Sequence, residues 1–261
     1  MAFQREGSII TWRPTDHITA WFSTRLGGTS LPPFDTMNLS FGVGDVSVSV
    51  KENRRRMLAL MGRPLDDLVM PHQVHGGTVT WISAADRGRG RVPDVPPIPA
   101  TDGFLTDAAE IVLGMGFADC VPIFLADVKG RFFGLLHAGW RGTAAKIQET
   151  AVQQLMQRGV LPEDIRVGLG PRIGPCCYEV DQPVYDRIRA VAGTAPLTPV
   201  DARHWRLDLH LANRLMLEAV GILPEHIDEA PYCTACHPEL FFSYRRDHHV
   251  TGRMGGYICR T

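Results

Sequence analysis

GFADCVPIFLADVKGRFFGLLHAGWRGT, residues 116–143, is the stretch that decides how the chain folds. Apolar residues run from Val121 to Ala126 and again from Phe132 to Leu136, on either side of Lys129 and Gly130. Two short apolar runs around a glycine-containing turn read as a buried β-hairpin. With Lys129 and Gly130 as a two-residue turn, Val128 faces Arg131 and Pro122 faces His137, because paired positions across a hairpin sum to a constant. Cys120 then lies diagonal to His137 on the same face. Diagonal partners sit roughly 7–8 Å apart, close enough for a thiolate and an imidazole to share one metal ion. Pro122 has no N–H to give to a ladder and argues for an edge or a bulge.

Outside this segment, composition narrows the classes of protein that remain. The 261 residues, 44% of them hydrophobic, suffice for a substantial core and read as one domain spanning 1–261. Twenty-seven basic and 28 acidic side chains give a net charge of -1. Neither a nucleic-acid polymer nor an anionic membrane is therefore an electrostatically favoured partner, and a small substrate is expected. Residues 1–16 contain no apolar run of signal-peptide length, and no stretch approaches the roughly 18 apolar residues that span a bilayer, so a soluble cytoplasmic protein is expected. Six cysteines, with Cys176 and Cys177 adjacent, do not form the dense pattern of a small secreted domain. Reduced thiols, some of them ligands, fit better than disulfides.

Along the chain, residues 8–12 and 18–24 alternate as strands, and the paired glycines of Thr24-Arg-Leu-Gly-Gly-Thr-Ser30 mark a loop. Asn38, in a second irregular segment, closes an Asx-turn or reaches substrate. Residues 47–61 read as a helix, with Ser49 and Glu52 spaced as a capping box, Gly62 as terminator and Val50, Met57, Leu58 and Met61 as the buried stripe. Asn53 and Arg54 fall on that inward side. A buried arginine needs a carbonyl, a carboxylate or a substrate anion, and the spacing leaves these alternatives open. Residues 69–82 form strand, polar centre and strand. Alternation separates Gln73 and His75 from His72, so one of the two histidines faces any given site. The Pro-, Arg- and Gly-rich residues 86–101 read as a surface loop with solvated arginines. A helix is expected from an N-cap at Thr143 to about Arg158, and others near 182–192 and 208–220, the last with Leu209, Leu211, Ala212, Leu215, Met216 and Ala219 on its apolar face. In the tail, Cys233-Thr-Ala-Cys-His237 matches a haem-attachment spacing without the context for haem. A zinc site from Cys233, Cys236 and His237 has no second CxxC to complete it, so ordinary packing is the expected role.

Taken together, Gln73-Val-His-Gly76, Asp119-Cys120, His137-Ala-Gly-Trp-Arg-Gly142, Gly170-Pro-Arg-Ile-Gly-Pro175 and Phe241-Phe-Ser-Tyr-Arg-Arg-Asp247 resemble the polyphenol-oxidase-like, laccase-domain family, also described as purine nucleoside phosphorylases. The resemblance runs in order along nearly the whole chain. It implies an α/β fold, a layered sandwich of mixed β-sheets covered by helices, and a zinc site from His75, Cys120 and His137. His72 lies outside the family's pattern.

Two imidazoles and one thiolate leave zinc an open fourth position, the mark of a catalytic site. A water there is acidic enough to act near neutral pH, and its attack on C6 of adenosine, with Asp119 or Gln73 handling the proton, would give deamination. Phosphorolysis of a purine nucleoside instead needs an anion pocket, for which Arg54 and Arg141 are the candidates, and a face for the base, for which Tyr178 is one. The resemblance thus implies a zinc-dependent purine nucleoside phosphorylase with adenosine deaminase and methylthioadenosine phosphorylase side activities. Copper is a possible metal, and a laccase-like polyphenol oxidase is the first alternative, since a blue-copper site also uses two histidines and a cysteine. Laccase chemistry needs several coppers and HxH pairs, however, and the 10 histidines here form no HxH pair. A cysteine hydrolase with Cys120 as nucleophile and His137 as base is the second alternative. A zinc-stabilised binding module would instead close the fourth position with a protein ligand.

Overall fold

The hairpin forms in the expected register. A computed structural model describes residues 3–261, and in it β8 (Val121–Asp127) pairs antiparallel with β9 (Phe133–Ala138), with Pro122 opposite His137. Asp127 N–H bonds the Phe132 carbonyl, so the connection is four residues long rather than two. The register survives because the same pair sum holds.

Pro122 is at neither an edge nor a bulge. Strand β8 sits inside a six-stranded sheet ordered β14-β10-β8-β9-β6-β5, built with β5 (Val79–Ile82), β6 (Gly103–Thr106), β10 (Ile165–Leu169) and β14 (Ile227–Glu229). The Pro122 carbonyl accepts from Gly170 N–H at 2.9 Å, just beyond the end of β10. The reciprocal acceptor, the Gly170 carbonyl, takes its hydrogen bond from His210 Nε2 at 2.9 Å, so the absent proline N–H leaves nothing unpaired.

A second six-stranded sheet, β1-β2-β3-β15-β7-β4, combines β1 (Gln4–Glu6), β2 (Ile9–Thr15), β3 (Ile18–Ser23), β4 (Leu68–Val69), β7 (Val112–Phe117) and β15 (Met254–Arg260). Both sheets are mixed, with β4–β7, β5–β6 and β10–β14 parallel. Strand alternation sorts their side chains into layers. Phe124, Ala126, Phe133 and Leu135 point between the sheets, against Ile10, Trp12, Phe22, Met115 and Phe117. Ile123, Leu125 and Leu136 point the other way, under α3 (Ile147–Met156), α4 (Gln182–Ala192) and α5 (Leu209–Ala219). The outer face of the second sheet, with Trp21, Leu68, Val112 and Tyr257, is covered by Met57 and Leu58 of α1 (Ser47–Leu60). The result is a helix–sheet–sheet–helix sandwich, in which the central strands are apolar on both faces because both faces are buried. A small sheet of β11 (Glu179–Asp181), β12 (Leu197–Pro199) and β13 (His204–Leu207) flanks α4.

Several local expectations shift. Helix α1 starts at Ser47, which places Ser49 inside the first turn, and its N-cap Val46 makes no side-chain bond, so no capping box forms. Thr143 is not an N-cap. A short helix, α2 (Trp140–Ala144), begins three residues earlier, and Lys146 at φ +60° breaks the path before α3. Thr143 is turned instead to Asn213, whose Nδ2 donates to its hydroxyl at 3.1 Å. That contact, with His210 bound to Gly170, draws polar residues into the buried face of α5 and leaves Ala219 exposed. The arginines of residues 86–101 keep solvent contact, as expected, and are also ion-paired: Arg87 with Asp67, Arg89 with Asp86 and Arg91 with Asp66.

Candidate metal centre and its cavity

The segment between β4 and β5 crosses from one sheet to the other, and His75 sits on that crossing. His75, Cys120 and His137 each bring a ligand atom into a group whose members all lie within 4.8 Å of one another. His137 projects from the inter-sheet face of β9, one pleat beyond Leu135, and Cys120 immediately precedes β8. His72 does not join them. Two backbone positions at the cluster adopt left-handed conformations that non-glycine residues rarely take, His75 at φ +60° and Asp119 at φ +89°. Local conformations of this kind persist when surrounding contacts over-determine them, and here two buried carboxylates make those contacts.

The first is Asp102, at the start of β6. Its Oδ1 meets His137 Nδ1 at 2.9 Å and accepts from His75 N–H at 2.9 Å, while Oδ2 accepts from Val74 N–H at 3.1 Å and Gly76 N–H at 2.7 Å. One carboxylate thus shapes the His75 turn and fixes the ring of His137 with Nδ1 as donor and Nε2 free to ligate. Burial alone would raise the Asp102 carboxyl. The bonds from His137 and the Gly76 and Val74 amides outweigh it and hold the carboxyl below its ordinary value. No local motif in the sequence singles out Asp102. Its signal was the pairing of β6 with β9, which sets Gly103 opposite Leu136 and so carries Asp102 to His137.

The second is Asp119. Its Oδ1 accepts from Thr234 Oγ1 at 2.6 Å, and its Oδ2 from Ser243 Oγ at 3.0 Å and Arg245 N–H at 2.7 Å. Three donors hold this carboxylate in place and make it an anchor of the Cys120 turn. Gln73 is committed in the same way. Its amide exchanges two hydrogen bonds with the backbone of Gly116 in β7, at 3.0 and 2.9 Å, mimicking a strand neighbour.

Without a metal, the three ligands hold one another. Burial pushes the Cys120 thiol up, but His137 and His75 overcome it and bring it down to about 6. Burial pushes His137 down, and the Cys120 thiolate and Asp102 lift it to about 9. A thiolate–imidazolium pair results, the protonated stand-in for a cation between soft and borderline donors. Gly139 keeps a side chain away from the cluster: a Cβ placed there would stand 2.6 Å from Cys120 Sγ and 3.9 Å from His75 Cδ2. Two imidazoles, one thiolate and this space fit a zinc or copper ion.

The cluster opens into a cavity of 970 Å³, within the size range of small-molecule sites. Arg141, Arg245 and Arg253 bring positive charge to its wall, and Tyr178, Tyr244 and His249 bring flat rings. The Tyr244 and His249 rings stack at 4.4 Å. Burial and the neighbouring Cys120 thiolate push the Tyr178 phenol up, so it keeps its proton and can donate a hydrogen bond. Asp119 is the sole carboxylate on the wall among the described residues. Arg54 lines the cavity but is spoken for. Its Nε donates to the Leu39 carbonyl at 2.8 Å, its Nη1 to Gly90 and Arg91 carbonyls at 2.7 and 3.1 Å, and its guanidinium lies over Phe41. Burial lowers it to about 10. Asn38 does not line the cavity. Fully buried, it closes the Asx-turn with Ser40 N–H and also binds Arg253 N–H and Asp45. In the tail, Cys233 and Cys236 meet Cys176 and Cys177, whereas His237 bonds Glu239.

Helix-covered facing sheets carry, at one end, two imidazoles and a thiolate grouped so that they could hold a metal ion. Residues 19–261 match the family described as multi-copper polyphenol oxidoreductase laccase, and the chain belongs to that family. It is 41% identical over 250 residues to a protein named purine nucleoside phosphorylase YlmD of Geobacillus stearothermophilus, covering 92% of this chain and 89% of that one. It is 30% identical over 238 residues, 90% of each chain, to one named adenosine deaminase RL5 from an unknown prokaryotic organism. The crystal structure of YlmD from Geobacillus stearothermophilus superposes with a TM-score of 0.96 at 39% identity, over 99% of this chain and 98% of that one.

Proposed function

We propose that this enzyme is a zinc-dependent purine nucleoside phosphorylase that also deaminates adenosine and accepts methylthioadenosine as side activities. The observation that carries the reading is the pairing of the His75–Cys120–His137 cluster with a cationic cavity wall, in a chain closely similar to a protein named as a phosphorylase. When bound, the ion supplies Lewis-acid polarisation of an oxygen or purine nitrogen at the cavity floor.

The protein's own groups divide the remaining work. Arg141, exposed and lying over Trp140 at 4.4 Å, holds the phosphate, while Tyr178 or the Tyr244–His249 pair offers the base a face. A phosphate oxygen forms the bond to C1′ as the bond from C1′ to the purine nitrogen breaks, and the base leaves with that electron pair. The Tyr178 hydroxyl, which keeps its proton, is available to hydrogen-bond the departing base. Zinc is favoured over a multicopper oxidase because, among the described residues, histidines enter only one metal-competent cluster. No helix among the described residues is long and apolar enough to cross a membrane.

The test is product identification from inosine and adenosine, with and without phosphate, on protein of measured metal content. Hypoxanthine and ribose 1-phosphate, formed from inosine only when phosphate is present, are expected. Base release without phosphate, or no turnover by the zinc-loaded protein, refutes the reading.

A further inference from the structure

Four cysteines from two distant segments meet beside the cavity. Cys176 and Cys177 lie in the loop after β10, and Cys233 and Cys236 in the loop after β14. Their sulfurs all lie within 4.8 Å of one another, with Cys177 and Cys236 at 3.4 Å and Cys176 and Cys236 at 3.5 Å. Four sulfurs bound to one ion at about 2.3 Å stand about 3.8 Å apart in a tetrahedron, and these spacings bracket that value. The surrounding backbone donates to one of these sulfurs. Gly174 N–H donates to Cys233 Sγ at 3.2 Å, and Cys236 N–H bonds the same sulfur across the Cys-x-x-Cys turn. Gly174 also lacks the side chain that would press on the group: a Cβ there would sit 3.3 Å from Cys176 Sγ and 3.5 Å from Cys233 Sγ. Positive charge is close by, with Arg206 Nη1 donating to the Cys176 carbonyl and Arg246 Nη1 to the Thr234 carbonyl.

We propose that Cys176, Cys177, Cys233 and Cys236 hold a second zinc ion in a closed, structural site. Unlike the His75–Cys120–His137 centre, this set supplies all four ligands and leaves no position for a reactant. Its place in the fold gives it a task. The two loops are already joined by Thr234 N–H to the Arg172 carbonyl at 2.9 Å, and from them Ile173 N–H and Thr234 Oγ1 both reach Asp119, the anchor of Cys120. Tyr178 follows Cys177 directly. The second ion therefore fixes the frame on which the first centre's thiolate and one cavity wall are mounted. Its existence does not depend on the reaction catalysed.

The experiment counts metal in protein purified under reducing conditions from zinc-supplemented medium. Wild type is expected to hold two zinc ions per chain, and the double variant His75→Ala/Cys120→Ala one. That double variant, reloaded with cobalt(II), should show the intense thiolate-to-cobalt absorption and visible bands of a tetrahedral all-sulfur site. Adding Cys177→Ser and Cys236→Ser should abolish both. The cobalt spectrum keeps the test decisive even where the serine variants fail to fold. A wild-type zinc that disappears in the double variant, iron in place of zinc, a cobalt-free double variant, or a Cys177–Cys236 disulfide in reduced-purified protein would each overturn the proposal.

Discussion

Replacing Asp102 with asparagine removes one oxygen from a group that accepts four hydrogen bonds. If the remaining carbonyl keeps the Val74 and Gly76 amides, the new NH2 group faces His75 N–H and His137 Nδ1. The His75 amide is then left against a donor, and His137 can bond the NH2 group only by moving its proton to Nε2, the nitrogen needed for the metal. If the amide turns the other way, Val74 and Gly76 lose their acceptor. Each unsatisfied buried donor costs about 1–3 kcal/mol, and loss of an orienting partner behind a ligating histidine costs about 10–100-fold in metal affinity. The affinity change equals about 1.4–2.7 kcal/mol. Zinc affinity by competition with a chromophoric chelator, with melting curves in zinc and in EDTA, measures both. The variant should bind zinc at least about tenfold more weakly and melt several degrees lower even in EDTA. Zinc affinity within about threefold of wild type and an unchanged melt would refute the role given to Asp102.

Three further outcomes follow from the same geometry. Gly139→Ala places a methyl group 2.6 Å from Cys120 Sγ, so zinc content and turnover should fall together while the circular dichroism spectrum stays native. In metal-free protein Cys120 should be alkylated by iodoacetamide as a thiolate at pH 7. The rate should fall as pH drops through about 6, because the neighbouring imidazoles depress the thiol; an inflection near the ordinary thiol value would contradict this. Arg54→Met strands three main-chain carbonyls and should cost about 1–3 kcal/mol for each buried carbonyl left without a donor, read in a denaturant titration. Arg141→Ala, by contrast, should raise the phosphate KM with little change in stability.

The sequence carried the hairpin because its apolar runs and its pair sum are local properties, and Pro122 does face His137. From there Cys120 follows, and the family resemblance supplied His75. Asp102 was illegible because its partners arrive through tertiary pairing: β6 must first lie beside β9, and the crossing loop must then fold over it. Asp119, Gln73, Arg54 and Asn38 show the converse. Their residue types suit substrate chemistry, but each is consumed by main-chain or hydroxyl partners that only the packed structure reveals. The four-cysteine group was hidden for the same reason, since an adjacent pair and a Cys-x-x-Cys pair lie more than fifty residues apart in sequence.

The commitment of those side chains bears on which reaction dominates. Deamination at C6 of adenosine requires a group that takes a proton from water and returns one to the departing ammonia. The one carboxylate on the described cavity wall, Asp119, already accepts three hydrogen bonds, and the Gln73 amide is tied to Gly116. Phosphorolysis asks less of these residues, because phosphate brings its own anionic oxygen and needs chiefly a cation to bind it, the role proposed for Arg141 on the cavity wall. With adenosine and phosphate both saturating, adenine should therefore form faster than inosine. Releasing the Asp119 carboxylate by Thr234→Val and Ser243→Ala should shift the ratio toward inosine if proton transfer is what limits deamination. Inosine as the main product of the unaltered enzyme would show that the proton travels by a route these contacts do not block.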